Sequence, residues 1–139
     1  MIVKQTTLTV TENTGLADGI YRLRLAGDTS AITAPGQFVN LKLSGFFLRR
    51  PISVCDWSDG ELTLIYKVLG HGTEAMTGMA PGTELDVLTG LGNGYDVSRS
   101  GEHPLLVGGG VGIPPLYGLA KRLTTQGKRV TAVLGFNRE

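Results

Sequence analysis

Residues 108–112 read Gly-Gly-Gly-Val-Gly, and Ile113, Pro114 and Pro115 follow. Glycines this dense, placed between an apolar stretch and a helical one, suit the binding of a phosphate. The first turn of a helix offers N–H groups without intrahelical acceptors, together with the positive end of the helix dipole. Glycine lets a ligand reach the backbone with no Cβ in the way. Pro114 or Pro115 fits a first helical turn, where a missing N–H costs little. The spacing departs from G-x-G-x-x-G, because counting from Gly108 puts Ile113 at the last glycine. The alternative is a strand-to-helix turn whose glycines serve packing alone. A second group is Arg49-Arg50-Pro51-Ile52-Ser53. In an extended chain residues 50 and 52 share one face and 51 and 53 the other. A guanidinium there can hold a pyrophosphate through paired N–H groups, and a serine can hydrogen-bond a ring heteroatom. Read without context, the same residues are a surface arginine pair.

These groups need elements to position them. Residues 2–11 alternate, with Ile2, Lys4, Thr6, Leu8 and Val10 on one parity, and predict a first strand. Residues 20–25 predict a second, with Leu23 and Leu25 on the face opposite Arg22 and Arg24. After the turn Ala34-Pro35-Gly36-Gln37, residues 38–43 place Val39, Leu41 and Leu43 inward. Further strands are expected at 50–55, 61–69 and 84–88, with a short helix at 73–79. Six short strands separated by turn signals suggest a small antiparallel barrel. The pattern then changes. Residues 104–107 are a compact apolar strand, 114–126 a helix with Gly127 at its end, and 129–134 another strand. That is one β-α-β unit of the parallel kind. The fold class expected is mainly β: a six-stranded antiparallel Greek-key barrel over residues 1–98, then the start of an α/β nucleotide-binding domain over 99–139.

Bulk composition narrows the function classes. The chain has 139 residues, and 13 basic residues against 12 acidic ones give a net charge of +1, which argues against nucleic-acid binding. Of 21 glycines, fifteen lie after residue 69. The single cysteine, Cys55, excludes an intrachain disulfide and a cluster held by several cysteines of this chain. It reads as a buried barrel residue, with nothing beside it that would activate a thiol. No apolar signal segment opens the sequence, and the uncharged run 104–120 carries too many Gly and Pro to span lipid. The cytoplasm is the expected location. His103, before Pro104, is given no role.

The order Arg50-Pro51-Ile52-Ser53, Gly70-His71-Gly72-Thr73, Gly92-Asn93-Gly94 and Gly108-Gly109-Gly110-Val111-Gly112 resembles the ferredoxin–NADP⁺ reductase superfamily. Within it the resemblance is to electron-transfer subunits of NAD-dependent (class 1B) dihydroorotate dehydrogenases. The superfamily usually shows Arg-x-Tyr-Ser where this chain has Ile52, and Gly90-Leu91-Gly92-Asn93-Gly94-Tyr95 is similar to a loop of those subunits. The resemblance implies an FAD-binding barrel in which Arg50, Pro51, Ile52 and Ser53 line the flavin. Arg50 would neutralise the pyrophosphate and Ser53 would lie near the isoalloxazine edge. Ile65, Tyr66 and Lys67 match a second FAD segment, where Tyr66 either stacks on an aromatic part of FAD or packs inside the barrel. Gly72 and Thr73 match a third segment, a helix start facing phosphates, with Thr73 as N-cap. His71 either adds positive charge near phosphate when protonated or is a solvent-facing loop histidine, the reading preferred. Gly108, Gly109, Gly110 and Gly112 would serve NAD.

The implied partner is the FMN-bearing catalytic subunit of dihydroorotate dehydrogenase, in pyrimidine biosynthesis. The implied path runs from NADH through FAD and a 2Fe-2S cluster. Cys55 alone cannot supply that cluster's four thiolates. The nucleotide domain also stops after two strands, so the chain reads as truncated and short of the full electron path. Another flavin reductase of the superfamily, or a non-enzymatic partner-binding barrel, are the competing readings.

Overall fold

The computed structural model describes residues 2–137. Six strands build the first part: β1 (Lys4–Ala17), β2 (Ile20–Ala26), β3 (Phe38–Leu41), β4 (Arg50–Ser58), β5 (Glu61–Lys67) and β6 (Glu84–Leu91). They close into a barrel in the order β1-β2-β5-β4-β3-β6. Each neighbouring pair runs antiparallel. Strands β3, β4 and β5 form a meander, and β6 returns to lie beside β3, which is the Greek-key arrangement. The barrel expected from the sequence is therefore present.

Period-two alternation fills its interior. Leu8 and Val10 meet Leu23 and Leu25, Val39 and Leu41, Leu62 and Leu64, and Leu85 and Val87, all buried. Burying one such side chain contributes roughly 1.5–3 kcal/mol, so the barrel is the molecule's main store of stability. Strand β1 runs six residues past the expected end, for a local reason. Pairing with β2 steps from Val10↔Leu25 to Glu12↔Arg24 and leaves Thr11 as a bulge. A bulge switches the parity of all that follows. Before it the even residues point inward. After it Asn13 lies opposite buried Leu23. Glu12 stays outside, within 2.6 Å of the Arg22 guanidinium and 3.5 Å of that of Arg24.

Helix α1 (His71–Met76) closes one mouth of the barrel. It starts two residues before the expected 73 and ends at Met76, whose side chain is fully buried in the core. Phe46, Tyr21 and Met79 pack around the same core.

Beyond the barrel come a 3-10 turn (Val97–Arg99), β7 (Leu105–Gly109), a second 3-10 turn (Gly110–Gly112), α2 (Pro114–Thr125) and β8 (Thr131–Gly135). β7 and β8 pair in parallel, from Leu105↔Thr131 to Gly109↔Gly135. Proline stands in the first turn of α2, and Gly127 (φ +80°) follows the capping Gln126. There the Gly127 N–H donates to the Thr124 carbonyl and the Lys128 N–H to the Leu123 carbonyl, 2.9 and 3.1 Å. Leu106, Leu119 and Leu123 make a small second core. α2 rests on the outside of β4. A Cβ on Gly118 would stand 3.1 Å from the Cys55 carbonyl oxygen, and Lys121 Nζ lies 2.9 Å from both Asp56 carboxylate oxygens. Among the described residues no helix is long and apolar enough to cross a membrane.

Candidate functional site

The site is at the barrel mouth that α1 covers. Arg50 opens β4, paired with Leu41 of β3, so the inward parity of the strand carries its side chain to the mouth rather than out to solvent. Its guanidinium lies over the Phe46 ring, 5.2 Å from the centroid, and Nη1 donates to the Leu48 carbonyl. The rest of the group lies against Gly72 in the first turn of α1. A Cβ built on Gly72 would fall 2.2 Å from Arg50 Nε and 2.5 Å from Nη2. Only a glycine leaves the guanidinium that position. Two motifs about twenty residues apart in sequence thus meet, a fixed positive charge beside a helix start whose first N–H groups have no intrahelical acceptor.

Strand parity splits the Arg-Pro-Ile-Ser quartet. Ile52 is half-buried and packs on the barrel core, so its side chain turns inward. Pro51 and Ser53 are exposed on the outer face. Ser53 stands three residues from Arg50, about 10 Å along an extended strand. On β5, Lys67 is exposed and Ile65 half-buried, while Tyr66 between them is 1% exposed. Its ring stacks on Tyr21 (centroids 5.6 Å, interplanar 19°), and its hydroxyl donates to Asn13 Oδ1 at 3.1 Å. Burial pushes the Tyr66 phenol up to about 12, against the lowering effect of the Asn13 bond. A flavin-stacking role for Tyr66 is therefore corrected. Leu62 and Leu64 set the inward parity of β5, and Tyr66 continues it, so no ring face is left outside.

Thr73 is likewise not the N-cap. Gly70 holds that place, and Thr73 is the third helical residue. Its hydroxyl accepts from the Leu69 and Gly70 N–H groups (2.8 and 3.2 Å) and donates to the Gly70 carbonyl (3.1 Å), so it shapes the loop entering α1. His71 is exposed, with Nδ1 3.8 Å from Glu74 Oε2. The glycines of 90–94, which help carry the family resemblance, meet local steric demands. Gly90 (φ +74°) leaves 2.3 Å between a built Cβ and the Ile2 carbonyl oxygen, and Gly94 (φ +74°) leaves 2.7 Å to Ala34 Cβ.

The glycine turn divides in the same way. A Cβ on Gly108 would meet Leu116 Cδ1 at 2.6 Å, so this glycine lets α2 approach β7. Around Gly110 and Gly112 a Cβ would meet nothing within 4 Å, and Gly109, Gly110 and Gly112 are exposed. The turn lies next to β5, on the barrel strand that carries Ile65 and Lys67.

Asn13 and Phe46 were not singled out from the sequence. Asn13 is hidden by the bulge, which breaks the alternation that would have placed it. Phe46 sits in a loop without periodicity, and only its approach to Arg50 marks it. Cys55 is buried, and burial, with the Asp56 charge beside it, pushes its thiol up to about 11. One inert thiol does not fit an iron–sulfur cluster. Among the described residues no group of three or more His, Cys, Asp or Glu gathers that could hold a metal ion.

A closed Greek-key barrel, a strand arginine laid on a helix start, and a glycine turn leading into a helix give this chain an architecture similar to that of ferredoxin reductase-type proteins. Solved structures agree. The NADH-dependent reduced ferredoxin-NADP oxidoreductase superposes with a TM-score of 0.87 at 32% identity, over 95% of this chain and 49% of that one. An Amycolatopsis cytochrome P450 reductase gives 0.87 at 25% identity, over 98% and 44%. Phthalate dioxygenase reductase, at 20% identity and 0.79, shares the fold over 95% of this chain and 43% of its own.

More particularly, the chain is a homologue of the electron transfer subunits of dihydroorotate dehydrogenase B (NAD(+)). It is 46% identical to that of Geobacillus sp. (strain WCH70) over 97% of this chain and 56% of the relative. It is 44% identical to that of Enterococcus faecalis (strain ATCC 700802 / V583) over 96% and 53%. The chain thus spans about half the length of the curated relatives it matches. No family model matches it.

Proposed function

We propose that the chain is the FAD-binding part of such an electron transfer subunit, taking electrons from NADH toward a dihydroorotate dehydrogenase catalytic subunit that carries FMN. The observation that carries the reading is the Arg50 guanidinium seated on Gly72 at the barrel mouth. Any side chain at position 72 would displace that guanidinium, so the glycine keeps a fixed positive charge beside the start of α1. Held there, FAD would supply the exchange between two-electron hydride chemistry and single-electron transfer, with the chain's residues setting its position and electrostatics. Arg50 would neutralise the pyrophosphate, and Phe46 and the Leu48 carbonyl hold that guanidinium in place. Ser53, about 10 Å along β4 from Arg50 and on the strand's outer face, would hydrogen-bond the ring edge. Pro51, Ile65 and Lys67 would border the cofactor from the strand faces, with Tyr66 acting from within the barrel. Exposed Gly109, Gly110 and Gly112, next to β5, would admit the phosphates of NADH beside the flavin. We read residues 1–98 as the flavin domain, 99–139 as the opening of the nicotinamide-nucleotide domain, and the cytoplasm as the location. The 2Fe-2S cluster of the implied path would be held elsewhere, since Cys55 alone cannot hold it. Ultrafiltration of the purified chain with added FAD tests the reading. Flavin retained with the protein supports it, and a colourless protein that leaves all FAD in the filtrate refutes it.

A further inference from the structure

We propose that Asn13 is a positioning residue for the cofactor site, acting through α1. The inference rests on the reading above, that Arg50 and Gly72 receive the FAD pyrophosphate. Helix α1 has six residues, far too few to be stable alone. Its first turn carries Gly72 against Arg50, so the seat for the pyrophosphate is only as well placed as the helix. Its far end is fixed by Asn13. The Asn13 amide Nδ2 donates to the Met76 carbonyl at 2.8 Å, the Met79 carbonyl at 3.1 Å and the Thr77 carbonyl at 3.4 Å. Met76 is the last residue of α1, and its carbonyl also accepts from the Met79 N–H at 3.1 Å; Thr77 and Met79 belong to the turn that follows, so the amide clasps the helix end to that turn.

The other end of the amide is held as firmly. Oδ1 accepts from the Tyr66 hydroxyl, and Tyr66 is buried and stacked on Tyr21. A hydroxyl donating to Oδ1 turns the NH₂ toward the helix, and that orientation is what the carbonyls need. Asn13 reaches this place because the bulge at Thr11 switches β1 parity. Without the bulge residue 13 would face solvent. The link is thus continuous, from bulge to Asn13, to the end of α1, to Gly72, to Arg50. Tyr66 acts in it through its hydroxyl, with its ring anchored in the core.

The test titrates FAD by flavin fluorescence into wild type, Asn13→Asp, Asn13→Ala and Tyr66→Phe, each also in an Arg50→Ala background, with urea midpoints alongside. Asn13→Asp keeps the acceptor for Tyr66 and loses the donors. Each Asn13 variant is expected to weaken FAD about tenfold, and Tyr66→Phe by less. In the Arg50→Ala background the same changes should have little further effect, because what they misplace is the Arg50–Gly72 seat. A purely structural role would lower the urea midpoint and leave the fold-losses equal in both backgrounds. That result, or wild-type affinity in Asn13→Asp, overturns the inference. Wild-type protein that binds no FAD overturns the functional reading itself and this inference with it. Should the Asn13 variants fail to fold, Tyr66→Phe removes one hydroxyl, keeps the ring, and carries the same comparison.

Discussion

Gly72→Ala separates cofactor binding from stability. A new Cβ would fall 2.2, 2.5 and 2.6 Å from Arg50 Nε, Nη2 and Cζ, well inside contact distance. Something must move, and the far end of a flexible arginine moves most easily. The backbone does not object, since Gly72 is not among the glycines with positive φ. Alanine is in fact the better helix former, by about 0.8–1 kcal/mol in a helix interior. The fold should therefore be as stable as before or slightly more so. The displaced guanidinium loses a charge-assisted contact of roughly 1.5–3 kcal/mol. At about 1.4 kcal/mol per tenfold, that raises the FAD dissociation constant about ten- to hundredfold. FAD titration and urea denaturation, run on the same preparations, read both effects. Arg50→Ala should lose about as much, and the double variant little more than either. Unchanged FAD affinity in Gly72→Ala would refute the reasoning, as would a double variant that loses the full sum.

Two further outcomes follow from packing and burial. The Cys55 thiol and the Tyr66 phenol have folded values of about 11 and about 12, above their ordinary 9.0 and 10.0. Both are kept neutral by the fold, so the native state binds more protons than the unfolded chain across those ranges. Stability should be complete below pH 9.0 and fall as pH rises toward about 12. The urea midpoint should show this fall, and a Cys55→Ala/Tyr66→Phe variant should flatten it; an equal fall in that variant contradicts the assignment. Gly118→Leu should push α2 off β4, since even a Cβ stands 3.1 Å from the Cys55 carbonyl and 3.6 Å from Trp57. A destabilisation of about 1–3 kcal/mol is expected, with a shift in emission from the single tryptophan; wild-type emission and stability would show that the helix does not rest there.

Much of this molecule is legible in its sequence because strands and turns obey local rules. Alternation puts Leu23 and Leu25 on one face and Val39 and Leu41 inward, as the barrel has them. Gly127 after the helix and proline in its first turn likewise follow from backbone preferences of single residues. The arginine strand and the glycine turn are visible as motifs too, while their residue types alone leave phosphate binding and plain surface or packing roles both open. What the tertiary structure decided are meetings between distant segments. The bulge at Thr11 reverses a parity that the pattern could only extrapolate, and so delivers Asn13 to the mouth. Barrel closure turns the Tyr66 ring inside, away from any cofactor on the outer face. The glycines at 90 and 94 answer to carbonyls and methyls of segments more than fifty residues earlier. Above all, that Gly72 is a seat for Arg50 depends on where α1 comes to lie across the barrel. That position is set by the burial of Met76 and by the three carbonyls Asn13 holds, contacts that no local periodicity encodes.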